Sequence, residues 1–488
     1  MNTKILLVTM LAGILGAPAF SQSTGSKPLP VKKQASAKTP VQVSTINGSS
    51  TLVIKENIAG NEVKKILSFP IQQKQLANGL NVVTVPFNSP GLASLYLVVR
   101  VGSREEVESG KTGFAHFFEH MMFRGTDKYS PEKYNDVLKS IGASANANTS
   151  LDRTVYHMTG NAGMLEKMIE LEADRFQNLK YSQHDFKAEA GAVKGEYTKN
   201  YADVTQQLYE KALNTAFEKH TYKHTTMGFF NDVVDMPNQH EYSLEFFNKF
   251  YRPEYTTVLV VGDVKQEDVN KFSEKYFGTW ERGSYQPTIE TEPAQTATKF
   301  AHVKHESYPP LLRLHYKGPA YSIENNDLPA LNILSQILFS ETSDLYQKLV
   351  VKEQKVRSIF GGASPSRDPN LITVSASLKN AADLQYVKDE IVNALELSKT
   401  TPVDSKKLAD TKSRIKYSFA MSMDSPDQIA NALSQAIWLS GNAENINTFY
   451  ALYEKVTAED IMRVANQYFV PNTLTIATIG PNEQGDVK

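Results

Sequence analysis

The 488-residue chain contains no cysteine. That absence excludes any disulfide, any lipid anchor on cysteine, any thiol nucleophile and any thiolate metal ligand. A metal ion, if the chain holds one, must be held by His, Asp or Glu. An excess of charge of one sign is missing too. Lys and Arg number 52 against 53 Asp and Glu, for a formal net charge of -1, and no long basic run stands out. This balance argues against nucleic acid or an anionic membrane as a partner. Long apolar runs are also lacking. The stretch Ile5 to Leu15 has eleven residues, whereas a bilayer-spanning helix needs about 20.

That short run instead reads as the core of a secretory signal peptide over residues 1–21. Lys4 precedes it, and Ala17-Pro18-Ala19 and Ala19-Phe20-Ser21 supply small residues suited to cleavage at Ala19 or Ser21. Export to the periplasm is the expectation that follows. Residues 22–65 form a flexible leader, rich at first in Ser, Thr, Pro, Lys and Gln.

The length beyond the leader exceeds what one hydrophobic core usually supports. Ile71 to Leu76 and Leu80 to Val85 flank Asn78-Gly79, a hairpin signal, and Leu92 to Val101 reads as an apolar strand. Ser130-Pro131-Glu132 reads as a helix N-cap with proline in the first turn. Residues 162–179 are amphipathic at helical spacing, and 182–201 contain no proline.

Phe250-Tyr251-Arg252-Pro253 leads into an apolar strand that ends at Gly262, and Tyr468-Phe469-Val470-Pro471 leads into one that ends at Gly480. In both, glycine follows proline by nine residues and a helical stretch comes before. This echo suggests an internal duplication. The expected fold class is α+β, with two similar α/β-sandwich-like domains at 66–285 and 299–484 joined by a linker at 286–298.

The chemistry sits in His116-Phe117-Phe118-Glu119-His120. Residues four apart share one face of a helix, so both imidazoles can reach a single ion. Glu119, about 100° round the helix from His120, can reach a water on that ion. Such a water acidifies from ~15.7 to ~7, and a nearby carboxylate can take its proton and pass it to a leaving amine. Phe114, Phe117, Phe118, Met121 and Phe123 make the helix largely buried. Two buried histidines beside a buried glutamate need partners, and a metal is the simplest. Glu170, Glu172, Asp174, Glu189 and Glu196 all lie on plausible helices and are open as third ligand, with Glu189 and Glu196 on one face. His220 and His224 are also four apart, but no acid lies between them.

The run from Gly113 to Thr126, GFAHFFEHMMFRGT, resembles the signature of the pitrilysin/insulinase family of inverted-motif zinc metallopeptidases. The likeness runs from about Leu76 to Gly480 and is nearest the short-chain, processing-peptidase-like branch. The resemblance implies one zinc per chain, held by His116, His120 and Glu196, with Glu119 as general base. It also implies Glu189 as an acid that orients ligands by hydrogen bonds. The strand around Asn146 and Ala147 matches a sheet edge to which an extended peptide substrate adds as a further strand. The implied function is an exported metallopeptidase acting on peptides or unfolded segments, its second domain an inactive repeat. The alternative is a non-catalytic binding or assembly subunit of a related complex.

One departure bears on partners. The family usually carries in its second domain an Arg and, seven residues later, a Tyr that help hold substrate. Those positions fall here on Val350 and Arg357. A sister subunit bearing the pair would complete the site as a heterodimer. In a homodimer, Arg357 would have to stand in.

Overall fold

The computed structural model describes residues 65–483, 485 and 487. The signal peptide and nearly all of the leader lie outside the described residues. Among those described, no helix is long and apolar enough to cross a membrane.

Two sheets form the framework. The first comprises β1 (Gln72–Gln75), β2 (Asn81–Pro86), β3 (Leu92–Val99), β4 (Ser144–Thr149), β5 (Thr154–Asn161) and β6 (Thr256–Gly262), in the order β1-β2-β6-β3-β5-β4. The second comprises β7 (Lys299–Lys304), β8 (Leu311–Lys317), β9 (Val356–Ala363), β10 (Leu371–Leu378) and β11 (Leu474–Gly480), in the order β7-β11-β8-β10-β9. Without β1 the two are the same sheet. β2 pairs parallel with β6, and β7 parallel with β11; every other neighbour is antiparallel. The sequence echo falls on β6 and β11, which occupy equivalent central places, so the duplication is physical.

Five helices of the first half matter for the site: α1 (Phe114–Met121), α2 (Pro131–Ser140), α3 (Leu165–Asn178), α4 (Gln183–Tyr201) and α5 (Val204–Ala216). Their starts follow from local chemistry. The Ser130 hydroxyl accepts from the Lys133 amide ahead of Pro131, and Ser182 and Asp185 form a capping box at α4. At the hairpin, Gly79 takes a φ of 93°, which glycine adopts at no steric cost. One face of the first sheet packs Leu95, Leu97, Val258 and Val260 against α1, α3 and the helix His240–Phe250.

The other face is covered from the far half of the chain. Ile429, Leu433 and Ile437 of the helix Pro426–Ser440 pack on Val83, Val98, Leu259 and Val261. The second sheet receives the reverse loan, for Val204, Leu208 and Ala212 of α5 pack on Ala301, Ala477 and Ile479. A partly buried ionic network reinforces the exchange. Arg367 Nη1 donates to Glu105 Oε1 at 2.8 Å, and Arg104 Nε to Asp368 Oδ2 at 2.5 Å. The Asp368 carboxyl is held well below its usual range by His220 and Arg104, which outweigh its burial.

Leu433 is fully buried, so Leu433→Ala should cost roughly 2–5 kcal/mol. The loss should show as faster amide hydrogen exchange in β3 and β6, more than 150 residues away in sequence. Unchanged exchange in those strands would show that the helix is not part of the first core.

Candidate metal centre

Helix α1 is eight residues long and almost entirely buried. Phe114, Phe117 and Phe118 show no exposure. Phe118 stacks on Phe246 with ring centroids 5.4 Å apart, and the Tyr156 hydroxyl donates to the Phe118 carbonyl at 3.0 Å. These contacts fix the rotation of α1 about its axis, and that rotation decides where its histidines point. The two imidazoles lie with centroids 4.8 Å apart.

Glu196, near the end of α4, meets them. Its Oε2 stands 3.4 Å from His120 Nε2 and 3.7 Å from His116 Nε2. One ligand atom from each of the three residues falls within 4.8 Å of the others. Among the described residues this is the one such group. His120 Nε2 is buried and has no hydrogen-bond partner, a costly state for a polar atom unless something else satisfies it. Two imidazoles and a carboxylate are the donor set of a catalytic zinc site, which leaves its fourth position to water or substrate. The residues therefore fit the ion.

Glu189, two turns before Glu196 on α4, binds the opposite nitrogen of His120, with Oε1 2.9 Å from Nδ1. An ionised carboxylate only accepts, so Nδ1 carries the proton and the neutral ring offers its lone pair at Nε2. Arg124 donates to the other oxygen of Glu189 at 2.5 Å. In the metal-free protein the two rings are held in different electrostatic surroundings. Burial lowers the His116 pKa. Burial also disfavours charge on His120, but the nearby carboxylates of Glu189 and Glu196 outweigh that and push it up to about 9 in the metal-free protein. The nearby His120 ring holds the Glu196 carboxyl below its ordinary value.

Glu119 faces β4, where the Thr149 hydroxyl donates to its Oε2 at 2.7 Å. Strand β4 is paired only with β5, so its other edge is open. The Ala147 amide turns away from the ladder and donates to the Asn146 side-chain oxygen at 2.9 Å. The structure thus brings His116, Glu119, His120, Glu189 and Glu196 together and sets Asn146 and Ala147 on the adjoining edge.

It does not gather the other candidates there. His220 Nε2 pairs with Asp368 at 2.9 Å and His224 Nδ1 with the Thr225 carbonyl at 3.0 Å, so these two serve the framework. Glu170 binds Lys128 and Lys167, Glu172 binds Arg175, and Asp174 accepts from Thr126. Val350 lies half-buried in a π-helical stretch, Gln347–Lys352, and Arg357 is exposed on β9 at the margin of the second sheet. Sequence reasoning gave no part to Thr149 or Arg124. The signal for Arg124 was its place four residues after His120; for Thr149 no local signal existed.

The chain belongs to the insulinase peptidase family. Residues 83–228 match the family described as Insulinase (Peptidase family M16), and residues 239–415 match its companion, Peptidase M16 inactive domain. Among curated proteins it is 28% identical to the zinc protease PqqE of Helicobacter pylori, covering 83% of this chain and 92% of that one. It is 25% identical to a probable mitochondrial-processing peptidase subunit beta of Arabidopsis thaliana, over 85% and 80% of the two chains. Among solved structures, a protease from Helicobacter pylori superposes with a TM-score of 0.78 at 27% identity, covering 85% of this chain and all of that one.

Partners of metal-bound histidines are commonly worth 10- to 100-fold in metal affinity. Glu189→Gln should therefore weaken zinc binding by at least roughly ten-fold, read by competition with a chromophoric chelator. Parent affinity in that variant would remove Glu189 from the site.

Proposed function

We propose that the protein is an exported zinc metallopeptidase that hydrolyses peptide bonds in peptides or unfolded segments. The observation that carries this is the convergence of His116, His120 and Glu196 beside a carboxylate, Glu119, that bonds none of them. A zinc ion held by the three residues, one per chain, supplies Lewis acidity that polarises a scissile carbonyl and lowers the pKa of water.

The chain's own groups do the rest. Glu119 takes the proton of the attacking water as general base and returns it, as general acid, to the leaving amine. Thr149 holds one oxygen of that carboxylate by a hydrogen bond and so aims the other. Glu189 keeps His120 in the tautomer that ligates. The open edge of β4 receives substrate as an added strand, its backbone groups satisfied along Asn146 and Ala147 with little regard to side-chain identity. For this the Asn146 side chain must release the Ala147 amide, so it acts as a stand-in for substrate in the free protein.

In this reading residues 66–285 are the peptidase domain and 299–484 an inactive repeat. Export to the periplasm rests on the signal-peptide character of residues 1–21. The Arg–Tyr pair absent at Val350 and Arg357 comes from a sister subunit in a heterodimer. The relative named as a subunit beta supports such pairing. A homodimer would leave Arg357 as the remaining donor. The rival reading, a non-catalytic assembly subunit, is disfavoured because all four metal and acid–base residues are retained.

One experiment separates these readings: digestion of a peptide library by parent, Glu119→Gln and Ala147→Pro proteins, each alone and with any co-purifying subunit. Glu119→Gln should keep zinc and fold yet lose at least ~100-fold in rate. Ala147→Pro should keep zinc and cleave poorly, and the sister subunit should raise the parent's rate. Parent-like cleavage by Glu119→Gln would rule out the mechanism. An inert parent in every mixture would favour the assembly subunit.

A further inference from the structure

The two metal histidines are not held alike. His120 has its Nδ1 fixed by Glu189, whereas His116 Nδ1 is buried with no hydrogen-bond partner. No side chain bonded to that nitrogen sets the His116 ring. Its place depends on the backbone of the first turn of α1, in which it is the third residue. That turn lacks a cap of its own. The N-cap is Gly113, with φ 95°, no side-chain cap and no acid in the first turn.

The missing acceptor comes from seven residues earlier in the chain. Glu106 Oε2 accepts from the Gly113 amide at 2.8 Å, and Oε1 from the Ala115 amide at 2.7 Å. Glu106 is 3% exposed, and burial pushes its carboxyl up to about 8 against the pull of those two amides. A buried acid is an expensive cap where a surface Ser or Asp would serve as well, which argues for a role beyond capping. Its own backbone is anchored, because the adjacent Glu105 accepts from the Gly102 amide at 2.8 Å and from Arg104 and Arg367. On the opposite flank the chain presses against the helix start. A Cβ on Gly228, whose φ is +77°, would meet the Thr112 carbonyl carbon at 2.6 Å and the Gly113 nitrogen at 2.7 Å.

We infer that Glu106 is a positioning residue of the metal site, gripping the Gly113 and Ala115 amides so that His116 is set on the ion, as Glu189 sets His120. It touches neither ion nor substrate. The inference rests on the metal reading proposed above and deepens it.

The test uses the full chain with zinc and with cobalt(II). Zinc affinity is measured by chelator competition, and ligand geometry by the visible d–d absorption of the cobalt form, alongside thermal melting. Glu106→Gln, which can accept from only one of the two amides, should weaken zinc binding roughly ten-fold or more and alter the cobalt spectrum. Glu106→Asp keeps the charge but is one methylene too short to span both amides, and it should lose less. It also decides the matter if the Gln variant does not fold.

Parent affinity and parent spectrum in folded variants, even with lowered melting temperatures, would make Glu106 a structural cap alone and overturn the inference. So would failure of both variants to fold. A parent protein that binds no zinc would overturn the metal reading itself, and the two failures are thus distinguishable.

Discussion

The site depends on the burial of one short helix. Three phenylalanines of α1 are removed entirely from water, each worth about 1.5–3 kcal/mol. They lock the rotation of α1 against the first sheet and the helix His240–Phe250. An isolated helix of eight residues would be marginal in water, so α1 owes its existence to that packing. Once its apolar face is fixed, His116 and His120 point toward α4 as a geometric consequence. The polar demand this creates is met from α4 by Glu189 and Glu196, and at the N-terminus by Glu106.

The second constraint is the exchange of helices between halves. Without the helix Pro426–Ser440, Val83, Val98, Leu259 and Val261 would face water, and without α5 the face of the second sheet built on Ala301, Ala477 and Ile479 would be bare. The second half is thereby a structural necessity for the half that carries the candidate metal residues. The Arg367–Glu105 pair reaches from the second half to the residue next to Glu106. This places α1 under the influence of both halves.

Much of this was legible in the residues, for identifiable reasons. The buried helix α1, with both histidines on one face, could be read because spacing of four on a helix is a local rule, and the flanking phenylalanines announced burial. The Asn78-Gly79 hairpin and the Ser130 cap obey rules equally local. The candidate third ligand was not legible from periodicity: five acids were available, and helical phase placed Glu189 and Glu196 on one face without ranking them. The family resemblance did that, and the structure sets Glu196 against Nε2 of both histidines and Glu189 against the far side of His120. The helix exchange was illegible because an amphipathic stripe records that a helix is buried but not against which sheet. Glu106 was hidden for a related reason, since a cap supplied from seven residues upstream follows no capping motif.

The central expectation is that catalysis requires a metal bound by this chain. The direct measurement is metal analysis of the purified full-length protein, with any associated subunit in place, joined to peptide cleavage before and after exhaustive chelation. One zinc per chain is expected, with loss of cleavage on its removal and recovery on adding back one equivalent of zinc. Undiminished cleavage by protein shown to be free of metal would contradict it.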